Sequence, residues 1–378
     1  MKPFPLLFVP LSLLLLIGCG CTSPSIETGV QAVSENSLAT AVFVLPTRTC
    51  GNYFIVDAIV DGHGPFPMLL DTGAGTTTIS PSMSKATGVT DWIQSLEIDR
   101  FHATGNIECQ VQELAHISRA LGMEIQGIVA YGVFDGMLLT YDYPAKQIRL
   151  EKRSFTKEEI RQPNVVPTST GERPYVRVTA DDYEFTALID TGSSRTLTFK
   201  KMERFVFEEA PVPTGGTMGI RGLSLVNSGR VAQDIKIGPL TLTRPIVNSA
   251  RGTNLFGQGL LRDFVVTFDQ VQHYVRFEKS RGSWQTPIQT PSLFGTGLVA
   301  NPREDRLVVR QVFEGSAAHR AGLLIGDEIL TTNGVAISDR DCSHLEAMGD
   351  TGSVPIDFLI LRNGETLTIQ FSTDVLVK

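Results

Sequence analysis

The sequence predicts a mostly β protein made of two related lobes followed by a third, smaller unit. Three observations carry this reading: an internal repeat, many turn formers between short β-branched runs, and a change of pattern near residue 290. Gly and Pro number 35 and 20, and Val, Thr and Phe recur in short runs, so many short strands joined by tight turns are expected. At 378 residues the chain exceeds one ordinary domain. Its 33 basic and 40 acidic residues give a net charge of −7 with no long basic run, which argues against a nucleic-acid partner.

At the N-terminus, Lys2 precedes an apolar run from Leu6 to Ile17. A membrane-spanning helix needs about 20 such residues, so the run reads as the apolar region of a signal peptide. It ends in Leu16-Ile17-Gly18-Cys19, which resembles the lipobox of bacterial lipoproteins. That resemblance implies a signal peptide over 1–18 and acylation of Cys19. It also implies a lipid-anchored protein of the bacterial cell envelope, facing the periplasm or the exterior. Residues 19–45, rich in Ser, Thr, Glu and Asn, read as a tether.

The repeat defines the next two units. Met68-Leu69-Leu70-Asp71-Thr72-Gly73 matches Ala187-Leu188-Ile189-Asp190-Thr191-Gly192. Downstream, Thr140-Tyr141-Asp142 and Ile148–Lys152 match Thr267-Phe268-Asp269 and Val275–Lys279. Two lobes are expected, 46–153 and 170–281, joined by a charged linker over 154–169. Val176, Val178 and Ala180 alternate with Arg177 and Thr179, the period of a half-buried strand. Phe54–Val60, Thr76–Ile79 and Arg195–Phe199 are also rich in strand formers.

An acid at the end of an apolar strand, followed by Thr and Gly, has a physical logic. Asp71 and Asp190 leave the sheet from an apolar wall, and Gly73 and Gly192 allow a tight turn and close approach. Thr72 and Thr191 can hydrogen-bond across a two-fold interface. If the lobes pair symmetrically, the carboxylates meet; two so close cannot both ionise and share a proton. One then activates a water and the other polarises a carbonyl.

These residues resemble the pepsin and retropepsin aspartic proteases, in particular bacterial chains with two retropepsin-like lobes. The resemblance covers roughly 46–281. It rests on Asp71-Thr72-Gly73-Ala74-Gly75, on Asp190-Thr191-Gly192-Ser193-Ser194, and on Leu255-Phe256-Gly257 with the near match Ile128-Val129-Ala130. It implies an aspartic endopeptidase acting on polypeptides through Asp71 and Asp190, supported by Thr72, Gly73, Thr191, Gly192 and Ser193, with no metal or organic cofactor. It puts flaps near Phe101–Asn106 and Gly219–Arg230. The departures are Ala130 in place of Gly, which is expected to crowd the loop behind Asp71, Ala74 lacking the hydroxyl Ser193 offers its Asp, and no flap tyrosine. A non-catalytic envelope peptide-binding or scaffold protein is the competing class, and hydrolysis of a non-protein substrate a third.

After a linker over 282–292, residues 293–378 change pattern. Val308–Val312, Gly315-Ser316-Ala317-Ala318, Ala321-Gly322-Leu323 and Gly326-Asp327-Glu328-Ile329-Leu330 together resemble a bacterial PDZ domain. Ile356–Leu361 and Glu365–Phe371 flank Asn363-Gly364, a hairpin signal. The resemblance implies that Gly295, Thr296, Gly297 and Leu298 form the loop that holds a ligand's terminal carboxylate, with an extended peptide added to the adjacent sheet edge. The alternative is a structural cap on the second lobe. Of the five cysteines, Cys50 and Cys109 lie in one lobe and either pair as a disulfide or stay as two thiols. No Cys or His spacing reads as a zinc site.

Overall fold

The computed structural model describes residues 42–219, 222–250, 252–279, 281–343 and 352–378. The stretches read as signal peptide and tether, with Cys19, lie outside the described residues up to residue 41. The chain is mostly β and ends in a separate C-terminal unit.

The downstream halves of the repeat meet at the centre of the molecule. Leu138–Asp142 pairs antiparallel with Phe264–Asp269, so Thr140 opposes Thr267 and their hydroxyls lie 3.0 Å apart. Gln147–Glu151 and Val42–Leu45 extend this sheet on one side, Tyr274–Lys279 and Val165–Pro167 on the other. The first strand thus begins inside the stretch read as tether: Leu45 is buried and Phe43 half-buried against the core, while Val42 and Val44 on the other face stay exposed.

Each lobe adds a sheet of its own, seven-stranded in the first and ten-stranded in the second. In both, the strand that delivers the Asp is interior and pairs in parallel with a late strand. His63–Asp71 lies beside Gly127–Ala130, and Tyr183–Ile189 beside Leu255–Phe256. Interior strands are covered on both faces, which is why Met68-Leu69-Leu70 and Ala187-Leu188-Ile189 are unbroken apolar runs, all six residues buried. One apolar cluster runs through both lobes and the central sheet. Between the lobes, Lys157–Ile160 forms a short helix whose Thr156 and Glu159 make a capping box. Glu159 also receives Arg153 (2.8 Å) and Arg276 (3.1 Å), fastening the link to the second lobe's strand.

The C-terminal unit has its own core around Val309, Leu323, Ile329 and Ile360. Its sheet runs Leu298–Pro302, Leu307–Val312, Glu328–Thr332, Pro355–Arg362 and Glu365–Ser372, with Leu298–Pro302 at the edge. Asn363 and Gly364 take positive φ (53° and 86°), the two-residue turn expected from Asn-Gly.

The cysteines pair differently from the option open in the sequence. Cys50 is bonded to Cys342, and Cys109 is a free, buried thiol held up to about 11, chiefly by burial. Sequence proximity is overruled by docking: Gly122, at φ +64°, ends the helix Ala115–Leu121, and a Cβ there would lie 2.7 Å from the Arg340 carbonyl oxygen. The chain at 340–342 therefore lies directly on the first lobe, and Cys342 lands beside Cys50. Replacing Cys342→Ser is expected to lower stability by about 2–4 kcal/mol, since the crosslink closes a very long loop. Thermal melts with and without reductant check this: wild type should lose stability in reductant, and the variant should not respond.

Candidate active site

Asp71 and Asp190 face one another at the meeting of the lobes. Their strands end in matching loops braced reciprocally across the junction. The Thr72 N–H donates to Thr191 Oγ1 (3.0 Å) and the Thr191 N–H to Thr72 Oγ1 (3.1 Å). Each hydroxyl then donates to the opposite strand, Thr72 to the Ile189 carbonyl (2.7 Å) and Thr191 to that of Leu70 (3.4 Å). Both threonines are buried, so each N–H and hydroxyl in the brace has a partner inside an apolar wall.

The glycines hold the carboxylates together. Gly73 and Gly192 each donate an N–H to Asp71 Oδ1, at 2.7 and 3.1 Å. A Cβ on Gly73 would lie 2.6 Å from the Asp190 carboxyl carbon, and one on Gly192 2.5 Å from that of Asp71. No larger residue fits at either position.

Burial raises both acids, but unequally. Asp190 is pushed well above the usual carboxylate range by burial first and by the charge of Asp71 second. Asp71 is also raised by burial, while the N–H groups of Gly73 and Gly192 pull it back down. Asp71 is therefore the partner that ionises first, and Asp190 keeps the shared proton.

Three details differ from expectation. The Ser193 hydroxyl accepts from the Arg195 N–H (3.4 Å), and it is the Ser193 backbone N–H that bonds the Asp190 carboxyl. The Ala74 N–H does the same for Asp71. The supporting bond is thus a backbone one in both lobes, and Ala74 costs it nothing. Nor does Ala130 crowd its loop. It is buried with its N–H on Thr77 Oγ1 (3.3 Å), whereas a Cβ on the corresponding Gly257 would strike the Ser193 carbonyl.

Around the acids lies a cleft of about 1,220 Å³. Phe101–Asn106, expected as the first lobe's flap, does not line it. Phe101 is buried with its ring 5.0 Å from that of Phe134, so core packing draws this strand away. Gln110 and the helix Ala115–Leu121 form that wall instead. On the other side the hairpin of Val212–Gly219 and Gly222–Arg230 overlaps the second expected flap, but its first strand, through Gly216 and Thr217, reaches the cleft. The Arg195 guanidinium donates to the Gly216 carbonyl (2.8 Å), fixing this strand to the loop that carries Asp190.

Sequence reasoning missed Tyr53. It lines the cleft, hydrogen-bonds Ser194, and has its hydroxyl pKa raised by burial. The Cys50-Gly51-Asn52-Tyr53 stretch carries no local signal of this, because the contact is made across the lobes. In the C-terminal unit, Gly297 takes φ +74° and leaves no room for a Cβ against Ser316. The Thr296 and Gly297 carbonyls accept from Ala318 and Phe313 N–H groups, both at 2.9 Å. Gly295 pairs with Asp374, and Leu298 opens the edge strand. Thus the expected loop is a tight, internally bonded turn at the sheet edge.

Residues 276–373 match the PDZ domain family. The C-terminal unit is therefore a PDZ domain, which points to recognition of a peptide or partner. The match starts within Tyr274–Lys279, a strand that the fold gives to the central sheet. No curated protein matches the chain.

Proposed function

We propose that the two lobes form an aspartic endopeptidase of the pepsin and retropepsin type, whose Asp71 and Asp190 activate a water against a peptide bond. The observation that carries this reading is the half-buried, braced pair of carboxylates with unequal proton affinities on the floor of a peptide-sized cleft. Asp71, ionised, takes a proton from the water as its oxygen bonds the scissile carbonyl carbon. Asp190 gives its proton to the carbonyl oxygen, leaving a neutral tetrahedral diol. When the diol collapses, the C–N bond breaks, the nitrogen takes the proton held by Asp71, and a diol hydroxyl returns its proton to Asp190. The PDZ domain supplies polypeptide recognition beside the cleft.

The same reading sets the protein in the bacterial envelope, anchored through Cys19. Two features support this: the Leu16-Ile17-Gly18-Cys19 sequence, and the Cys50–Cys342 disulfide, which suits an oxidising compartment. Intact-mass analysis of the mature protein should show residues 1–18 removed and acyl chains on Cys19; an unacylated chain would contradict the anchor.

A library of unstructured peptides, incubated at pH 4 to 7 and read by mass spectrometry, tests the catalytic reading. Cleavage by the wild type, absent from Asp71→Asn, supports it. Peptide binding without cleavage at any pH favours the competing binding protein.

A further inference from the structure

The loop that carries Asp190 is held at two points by tyrosines of the other lobe. Tyr53 opens the first-lobe strand Tyr53–Val60, lines the cleft and hydrogen-bonds Ser194. Tyr141 stands on the central sheet, fully buried, and hydrogen-bonds the side chain of Thr191. Phe54 ties the region together: its ring lies 5.5 Å from that of Tyr141 and 5.4 Å from that of Tyr143, both edge-on. The Tyr143 hydroxyl is buried in the same group, yet among the described residues it has no hydrogen-bond partner.

The second lobe does not return these contacts. The repeat puts Phe268 where the first lobe has Tyr141, and Phe has no hydroxyl to offer Thr72. Strand register puts Arg173 where the first lobe has Tyr53, because Tyr175 opposes Leu188 as Ile55 opposes Leu69. Arg173 lies against Gly75, its Cδ 3.6 Å from where a Cβ would stand. Gly75 has no side chain to bond, whereas the other loop has Ser194 at this position. The Arg173 guanidinium instead sits over the ring of Tyr175, 5.5 Å from its centroid. The grip is one-sided.

We propose that Tyr53 and Tyr141 are positioning residues for the catalytic pair: their hydroxyls draw the Asp190 loop onto the first lobe and set the separation of Asp190 from Asp71. The proposal rests on the endopeptidase reading and adds the side chains that hold its acid in place. Two carboxyls share a proton only while they stay close, so a loop released by its tyrosines weakens the coupling between the two ionisations. The lower ionisation then rises and the higher one falls. Burial holds all three phenols above their ordinary range, so none of them titrates with the pair. The other charged groups at the two loops are Arg195, fixed on Gly216, and Glu172 and Arg173 beside Gly75. Every variant below keeps them.

The test is a carboxyl-carbon NMR titration of the full chain labelled at aspartate, with the Asp71 and Asp190 signals assigned from Asp71→Asn and Asp190→Asn. Wild type should show two well-separated ionisations. Tyr53→Phe and Tyr141→Phe keep the rings and should each bring the two closer by at least about half a pH unit, with circular dichroism reporting both variants folded. Tyr143→Phe removes a hydroxyl that holds no part of the loop and should leave both ionisations in place. In parallel, kcat on a cleaved peptide should fall about tenfold in the first two variants with KM little changed, since a small misplacement of a reacting group acts on the chemical step. Unchanged ionisations in folded Tyr53→Phe and Tyr141→Phe, or an equal change in Tyr143→Phe, overturn the proposal and leave the endopeptidase reading intact. Ionisations that draw together in the first two variants alone, without cleavage of any peptide by the wild type, uphold the tyrosine grip and remove the endopeptidase reading.

Discussion

Asp71→Asn and Asp190→Asn are each expected to lower turnover by at least about 10³-fold while leaving the fold intact. Neither acid can act alone. Asp71 must accept the proton from water, and Asp190 must donate to the carbonyl oxygen; an amide does neither. The double variant should be little worse than either single one, because residues acting as a unit lose activity non-additively. The same substitutions should affect stability in the opposite direction. Both carboxyls have folded pKa values raised above the unfolded value, Asp190 more than Asp71. The stabilisation from holding their protons is complete below the unfolded value, near pH 4, and is lost as pH rises through the folded values. Near neutral pH the wild type thus carries an electrostatic cost that Asn removes. Asp190→Asn should melt above wild type at pH 7, with the gap closing toward pH 3. A melting curve that shifts equally at both pH values would contradict the shared-proton description.

Gly192→Ala and Gly73→Ala should be the next most damaging substitutions. Each would bring a methyl carbon within 2.5 or 2.6 Å of the opposite carboxyl carbon, a distance that forces one loop to move. A shift of about 1 Å at reacting groups costs on the order of 10²-fold in rate, and overpacking costs about 1–3 kcal/mol in stability. Kinetics and thermal melts on the two variants check both figures. Gly105→Ala is a control for general backbone effects, since a Cβ there meets nothing within 4 Å, though its positive φ adds strain of its own.

Much of this arrangement was legible in the sequence. The repeated apolar run into Asp-Thr-Gly requires an interior strand that ends in a half-buried acid, and both copies do this. Thr140-Tyr141-Asp142 and Thr267-Phe268-Asp269, visible as a repeat, turn out to pair with one another on the central sheet. Asn363-Gly364 fixed its hairpin because the turn needs two positive φ values. What the sequence hid depends on docking between distant segments. Cys342 meets Cys50 through the packing of 340–342 on Gly122, and no spacing encodes that. Tyr53 reaches Ser194 across the lobes. Phe101–Asn106 has the polar, Gly-containing look of a flap, yet burying Phe101 against Phe134 ties that strand away from the cleft while residues 104–106 stay exposed.

The central claim is that one proton shared by Asp71 and Asp190 drives peptide hydrolysis. The most direct measurement of it is kcat/KM for a cleaved library peptide between pH 3 and pH 8, on wild type and both Asn variants. The account predicts a bell-shaped wild-type profile whose limbs report the two macroscopic ionisations of the pair, with both variants near background throughout. A profile that either folded Asn variant retains at comparable rates would contradict it.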